Sequence, residues 1–197
     1  MSTRRTQAER TDSTTGRLLD AARTLFGRNG YAATSVEAIT TEAGLTKGAV
    51  YHHFGDKAAL FRAVFVAEQQ WMAGELEQVA QAAPDTWTAL LRGCGTFLNL
   101  CLNPRCSRIV MLDGPAVLGW DAVRDIEADH VLRVLSDGLA RAAAEGRLSQ
   151  GDLRIRCHLL FGALCEAGML LARTADPAAA LPAVTAEATR MLEAMRA

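Results

Sequence analysis

Residues 34–57 read TSVEAITTEAGLTKGAVYHHFGDK. Two short helices joined by a tight turn fit this stretch. Thr34 and Glu37 have the S/T-x-x-E spacing that satisfies free N–H groups at a helix start. Val36, Ile39 and Ala43 then fall on one face at helical spacing. Gly44 stands where a helix must end with positive φ, and Leu45 can plug the space between the two helices. Thr46 can cap the second helix, Lys47 to Phe54. In that helix Ala49, Val50 and Phe54 point inward, while Lys47, Gly48, Tyr51 and His52 share the opposite face. That face is small, cationic and aromatic, which suits a DNA groove better than a protein core. Asp56 can cap a third helix with Lys57 in its first turn.

Upstream, Arg4, Arg5 and Arg10 lie in a polar segment that suits an arm on phosphates and a solvated tail equally well. A helix beginning at Thr14 or Thr15 carries Leu18, Leu19, Ala22, Leu25 and Phe26 inward and stops at Gly30. Downstream, a long helix from near Lys57 runs beyond Val79 and breaks at Pro84. Apolar faces at helical spacing recur from Trp87 to Leu102, Asp121 to Glu145, Leu159 to Ala172 and Leu181 to Met195. Period-two alternation of β-branched residues is missing. The fold class is therefore all-α. An N-terminal arm and three-helix helix-turn-helix domain takes residues 1–56, and a larger helical bundle takes 57–197, with about nine helices in total.

Two runs, G-Y-x-x-T-S-V-x-x-I and A-G-L-T-K-G-A-V-Y-H-H-F-G-D-K-A-A-L, follow each other at fixed spacing. Together they resemble the DNA-binding segment of the tetracycline-repressor (TetR) family, over about residues 18–60. Thr40 departs from the alanine usual in the family after the isoleucine. The resemblance implies a ligand-responsive transcriptional regulator, most simply a repressor, that binds a pseudo-palindromic operator as a homodimer. Its double-stranded DNA site comprises Thr34, Ser35, Thr46, Lys47, Gly48, Tyr51, His52, His53 and Lys57. Lys47 is placed for a phosphate or a guanine edge. Gly48 removes a side chain at the point of closest approach, and Tyr51 can donate to a phosphate. His52 can meet a phosphate or a thymine methyl. His53 borders the buried face, and there the resemblance favours a phosphate contact. Lys57 lies at a helix N-terminus, where the dipole already favours an anion. Thr34 and Ser35 can cap their helix, hold a phosphate, or do both.

Composition agrees without deciding. The net charge is −1, but residues 1–57 carry eight Lys/Arg against six Asp/Glu. The only two lysines, Lys47 and Lys57, both lie in the motif, among nineteen arginines elsewhere in the chain. Five cysteines without C-x-x-C spacing speak against a disulfide framework or a zinc site, so no metal or cofactor is expected. No glycine-rich phosphate loop or H-E-x-x-H occurs, and two of the four histidines belong to the motif, so catalysis is not expected. No apolar run reaches a membrane span and no secretory leader is seen, so the expected place is the cytoplasm, away from membranes.

The larger domain resembles the family only in helix pattern, and that resemblance implies a small-molecule effector pocket. Its candidate wall is Phe97, Cys101, Met111, Trp120 and Phe161, with His130 and Glu166 as polar anchors. For each of these aromatic and apolar groups taken singly, plain core is the favoured reading over a cavity wall. Gly162, Ala163, Ala167 and Gly168 would allow close helix packing, so the last two helices can pair with their copies in a dimer. An alternative from another class is a helical regulator switched by cysteine oxidation or by a protein partner.

Overall fold

The computed structural model describes residues 7–197, with side chains from Ser13 onward. Arg4, Arg5 and the side chain of Arg10 therefore lie outside the described residues. Ten α-helices follow one another: α1 Gln7–Ala33, α2 Val36–Ala43, α3 Lys47–Phe54, α4 Lys57–Gln81, α5 Thr86–Leu100, α6 Gly114–Leu118, α7 Trp120–Asp129, α8 Val131–Ala144, α9 Leu153–Arg173 and α10 Pro177–Glu193. A π-helical segment, Cys106–Asp113, stands between α5 and α6. The architecture is all-α, as the sequence implies.

Local chemistry explains most boundaries, with some differences from expectation. The N-cap of α2 is Ser35, whose Oγ accepts from the Ala38 N–H at 3.1 Å. Thr34, the expected cap, is buried instead. Its hydroxyl turns inward onto the Gly30 and Leu25 carbonyls, at 2.8 and 3.2 Å. It closes the kink at Gly30, where φ is 80° and only glycine is comfortable. Thr40 is buried too, and donates to the Glu37 carbonyl at 3.1 Å, so it introduces no unpaired hydroxyl. Gly44 ends α2 at φ 61°, and Arg17 from α1 donates to the Ala43 and Gly44 carbonyls. Asp56 caps α4 through the Ala59 N–H at 2.7 Å. The long helix expected from Asp121 to Glu145 is broken at His130 (φ −127°, ψ −99°) into α7 and α8.

The reading head, α1–α3, closes on the start of α4. Phe26, Tyr31 and Phe61 stack and meet edge-on with ring centroids 5.1–5.8 Å apart. Leu18, Ile39, Val50 and Leu60 are fully buried around them. Helix α4 then continues into the bundle, where Met72 and Leu76 are buried. One helix thus belongs to both cores.

Head and bundle are also joined by charge. Glu68 of α4 is fully buried, between Arg23 of α1 and Arg105 at the start of the π-helical segment. Arg105 Nη2 donates to both Glu68 oxygens, at 2.9 and 3.2 Å. Arg23 Nε lies 2.8 Å from Glu68 Oε1, close enough to pair although its N–H does not point along that line. At the other end of the segment, Asp113 accepts from the Tyr31 N–H at 2.7 Å.

Helix α9 is long and apolar enough, by length and composition, to cross a bilayer, against the expectation for this sequence. Its apolar residues divide between two faces. Leu160, Leu164 and Leu171 pack into the bundle, whereas Ile155, Leu159 and Leu170 point outward, 51–65% exposed.

Candidate nucleic-acid interface and ligand cavity

Ser35, Thr46, Lys47, Gly48, Tyr51 and His52 are all exposed where the start of α2 meets α3. Tyr51 is 56% exposed, far more than a core tyrosine. Lys47 Nζ is held 2.8 Å from Glu37 Oε2 on the neighbouring helix. This hydrogen bond holds the Glu37 carboxyl below, and the lysine above, its ordinary value. The pair is solvent-exposed, so it orients Lys47 across the helix-turn-helix without locking it. His52 and His53 meet edge-on at 4.9 Å, with His53 half-buried. Lys57 lies 4.1 Å over the Tyr31 ring, and partial burial lowers its pKa. Thr34 leaves the candidate set, because its buried hydroxyl is engaged with Gly30 and Leu25 and cannot reach a phosphate. Glu37, absent from the sequence-derived set, enters as the residue that positions Lys47. Its place in the first turn of α2, on the outward side, was the available signal.

A cavity of about 260 Å3 opens between α4, α5, α8 and α9. Along α5 its lining is Thr86, Ala89, Leu90, Gly93, Cys94 and Phe97, one complete helical face. Along α8 it is Val131, Val134, Leu135, Gly138 and Arg141, again one face. Leu76 and Ala80 of α4, Ala83 just after it, and Phe161 and Leu164 of α9 close the remaining sides.

Of the residues proposed from sequence as its wall, Phe97 and Phe161 line it. The other three wall residues and the two polar anchors do not. Cys101 and Met111 pack against Gly168, where an added Cβ would meet their sulfurs at 2.9 and 3.0 Å. Trp120 is 53% exposed and lies under the Arg124 guanidinium at 5.4 Å. His130 sits at the break between α7 and α8, and Glu166 is exposed on α9. The small residues on α5, Ala89 and Gly93, make the cavity by leaving space. Sequence reasoning that looks for large apolar groups passes over them.

Behind Phe161 lies a second buried carboxylate. Glu127 is bonded by Arg124 Nη1 at 2.8 Å, and Arg124 lies 5.5 Å over the Phe161 ring. Burial outweighs the arginine and pushes the Glu127 carboxyl up to about 7. The folded state then holds the proton more tightly than the unfolded chain. Stability from this group is complete at low pH and is lost as pH rises through about 7. Urea unfolding of the native protein and Glu127→Gln should therefore show the native protein losing stability relative to the variant between about pH 5 and 8. Parallel profiles would contradict the assignment.

All five cysteines are buried and free. Burial raises every thiol it shifts, with Cys94, Cys106 and Cys165 reaching about 12.

A short second helix, a tight glycine turn and an exposed Lys/Tyr/His face on the third helix define a helix-turn-helix DNA-binding protein. Residues 18–64 match the family model described as bacterial regulatory proteins, tetR family. Residues 87–195 match that described as tetracyclin repressor-like, C-terminal domain. A solved TetR-family transcriptional regulator from Pectobacterium atrosepticum is 32% identical, with a TM-score of 0.84 over 98% of both chains. The HTH-type transcriptional regulator CymR of Pseudomonas putida is 35% identical over 150 residues, 76% of this chain and 68% of CymR. The Transposon Tn10 TetC protein of Escherichia coli is 27% identical over 156 residues, 79% of each. The chain belongs to the TetR family of DNA-binding transcriptional regulators.

Proposed function

We propose that the protein is a homodimeric repressor, released from a pseudo-palindromic operator by a small apolar or amphipathic molecule held between α4, α5, α8 and α9. The observation that carries this reading is the path of α4. Leu76 and Ala80 face the cavity, Glu68 is clamped at the head–bundle junction, and Leu60 and Phe61 lie in the core of the reading head. A ligand that tilts α4 moves the head with it. Two heads on a dimer then no longer match two half-sites, and the ligand selects the unbound arrangement. Dimerisation is supported by the outward apolar faces of α9 and α10, where Ile155, Leu159, Leu170 and Met191 are 46–65% exposed. Oxidation as the switch loses support, because raised, buried thiols are poor nucleophiles.

The reading head is tested at Lys47. Lys47→Ala gives up only an exposed pair with Glu37, so thermal stability should stay within a degree or two. Operator affinity should fall. If Lys47 meets only phosphate, the loss is uniform across sequences and the salt slope drops by about one per head. If it reads guanine, discrimination at one base pair weakens instead. Unchanged affinity with unchanged salt slope removes Lys47 from the interface.

A further inference from the structure

The shape of the cavity and the one unengaged charge at its mouth point to a ligand class. The start of α5 is tied to the end of α8, Thr86 to Glu145 at 2.5 Å and Asp85 to Arg147 at 3.2 Å, so the two helices run antiparallel. Their lining faces, Thr86 to Phe97 and Val131 to Arg141, are therefore about 15 Å long each. The cavity of about 260 Å3 lies along these two faces. An extended hydrocarbon chain laid along the two faces would bury its length against apolar side chains. The deep end, at Phe97, Phe161 and Leu164, is buried and apolar. The polar groups all lie at the other end.

Those polar groups are engaged with one another, save one. Asp85 accepts from the Trp87 and Thr88 N–H groups, the Thr88 hydroxyl and Arg147. The Thr86 hydroxyl donates to Glu145, and Arg147 Nε pairs with Glu145 at 2.9 Å. Asp137, one turn before Arg141, pairs with Arg133. Arg141 has no hydrogen-bond or ion-pair partner among the described residues and lines the mouth. Its guanidinium offers a planar fork matched to a carboxylate.

We propose that the cavity binds an elongated amphiphile with a single anionic head, a straight-chain carboxylate of medium length. Its chain lies along α5 and α8 toward Phe97 and Phe161, and its carboxylate is held by Arg141. The inference rests on this cavity being the effector site and names what enters it.

The test uses the full-length protein with decanoate, decanol and decyltrimethylammonium, each below its micelle-forming concentration. Binding is followed by calorimetry and operator release by fluorescence anisotropy. Native protein should bind decanoate about tenfold more tightly than decanol, the value of one charge-assisted hydrogen bond, and the cation least. Hexanoate should bind more weakly, for lack of buried chain, and palmitate should be too long. Arg141→Gln should bring decanoate down to the level of decanol and leave decanol unchanged. Gly93 has open space where a Cβ would stand, so Gly93→Leu should fill the channel and lose both ligands. Ala89→Phe blocks the same channel if that variant does not fold. Decanol binding as tightly as decanoate, or a preference for decanoate that survives Arg141→Gln, overturns the inference. If a neutral compound binds, releases the operator and is blocked by Gly93→Leu while decanoate fails, the anionic class falls and the effector reading stands. If no tested compound binds, both fall.

Discussion

Gly162→Arg is expected to yield a folded monomer that has lost most of its operator affinity. Gly162 lies on the outward side of α9, near Leu159 and Glu166, and a Cβ there meets nothing within 4 Å. In a single chain the arginine is an ordinary surface residue, and replacing a helical glycine is favourable in itself. In a dimer paired through α9 and α10 the same side chain stands where the partner helix must approach. Charge and bulk then oppose association together. Losing the dimer turns a two-headed grip into single-head binding, a loss of roughly 10²–10⁴-fold in avidity. Light scattering should show the mass halved, with helical content and melting behaviour near native. Gly162→Ala should keep the dimer. A dimeric Gly162→Arg protein would place the interface elsewhere. Gly168, although it also resembles an interface glycine in sequence, faces inward onto Cys101 and Met111, so Gly168→Arg would test the core instead.

The contrast between these two glycines marks what the sequence can and cannot reveal. Helices, their caps and the reading head are written in local spacing, so Gly44, Asp56 and the face with Lys47 and Tyr51 were legible. Even there the cap moved from Thr34 to Ser35, because both residues suit an N-cap and only the kink at Gly30 decides which one turns inward. The cavity was legible only at Phe97 and Phe161. A cavity is a deficit of volume between helices distant in sequence, and it is made by Ala89 and Gly93 as much as by its walls. The ionic junction was not legible at all. Arg23, Glu68 and Arg105 come from three segments, and nothing in their local context separates them from surface charges.

That junction carries the second large effect. Glu68→Ala is expected to destabilise the protein by about 3 kcal/mol, the low end for breaking a buried ion pair. The low end applies because the guanidiniums stay 26% and 39% exposed and can turn to water, while the carboxylate is fully buried. For a chain of this size the melting temperature should fall by roughly 6–12 °C. Stability alone does not show that the junction transmits anything, because any buried pair would cost as much. The decisive variant replaces all three charged groups with methionine, at Arg23, Glu68 and Arg105. Well-packed apolar groups in place of a buried ionic cluster are often neutral or stabilising, so much of the lost stability should return. The directional hold of α1 and the π-helical segment on α4 should not return. If this hold carries the motion of α4 to the head, the triple variant binds ligand and operator separately, but ligand no longer weakens operator binding. The coupling is reciprocal, so operator should equally cease to weaken ligand binding. A triple variant that keeps full coupling would make Glu68 a stabilising cluster only, and would leave the shared aromatic core of Phe26, Tyr31 and Phe61 as the path between the two sites.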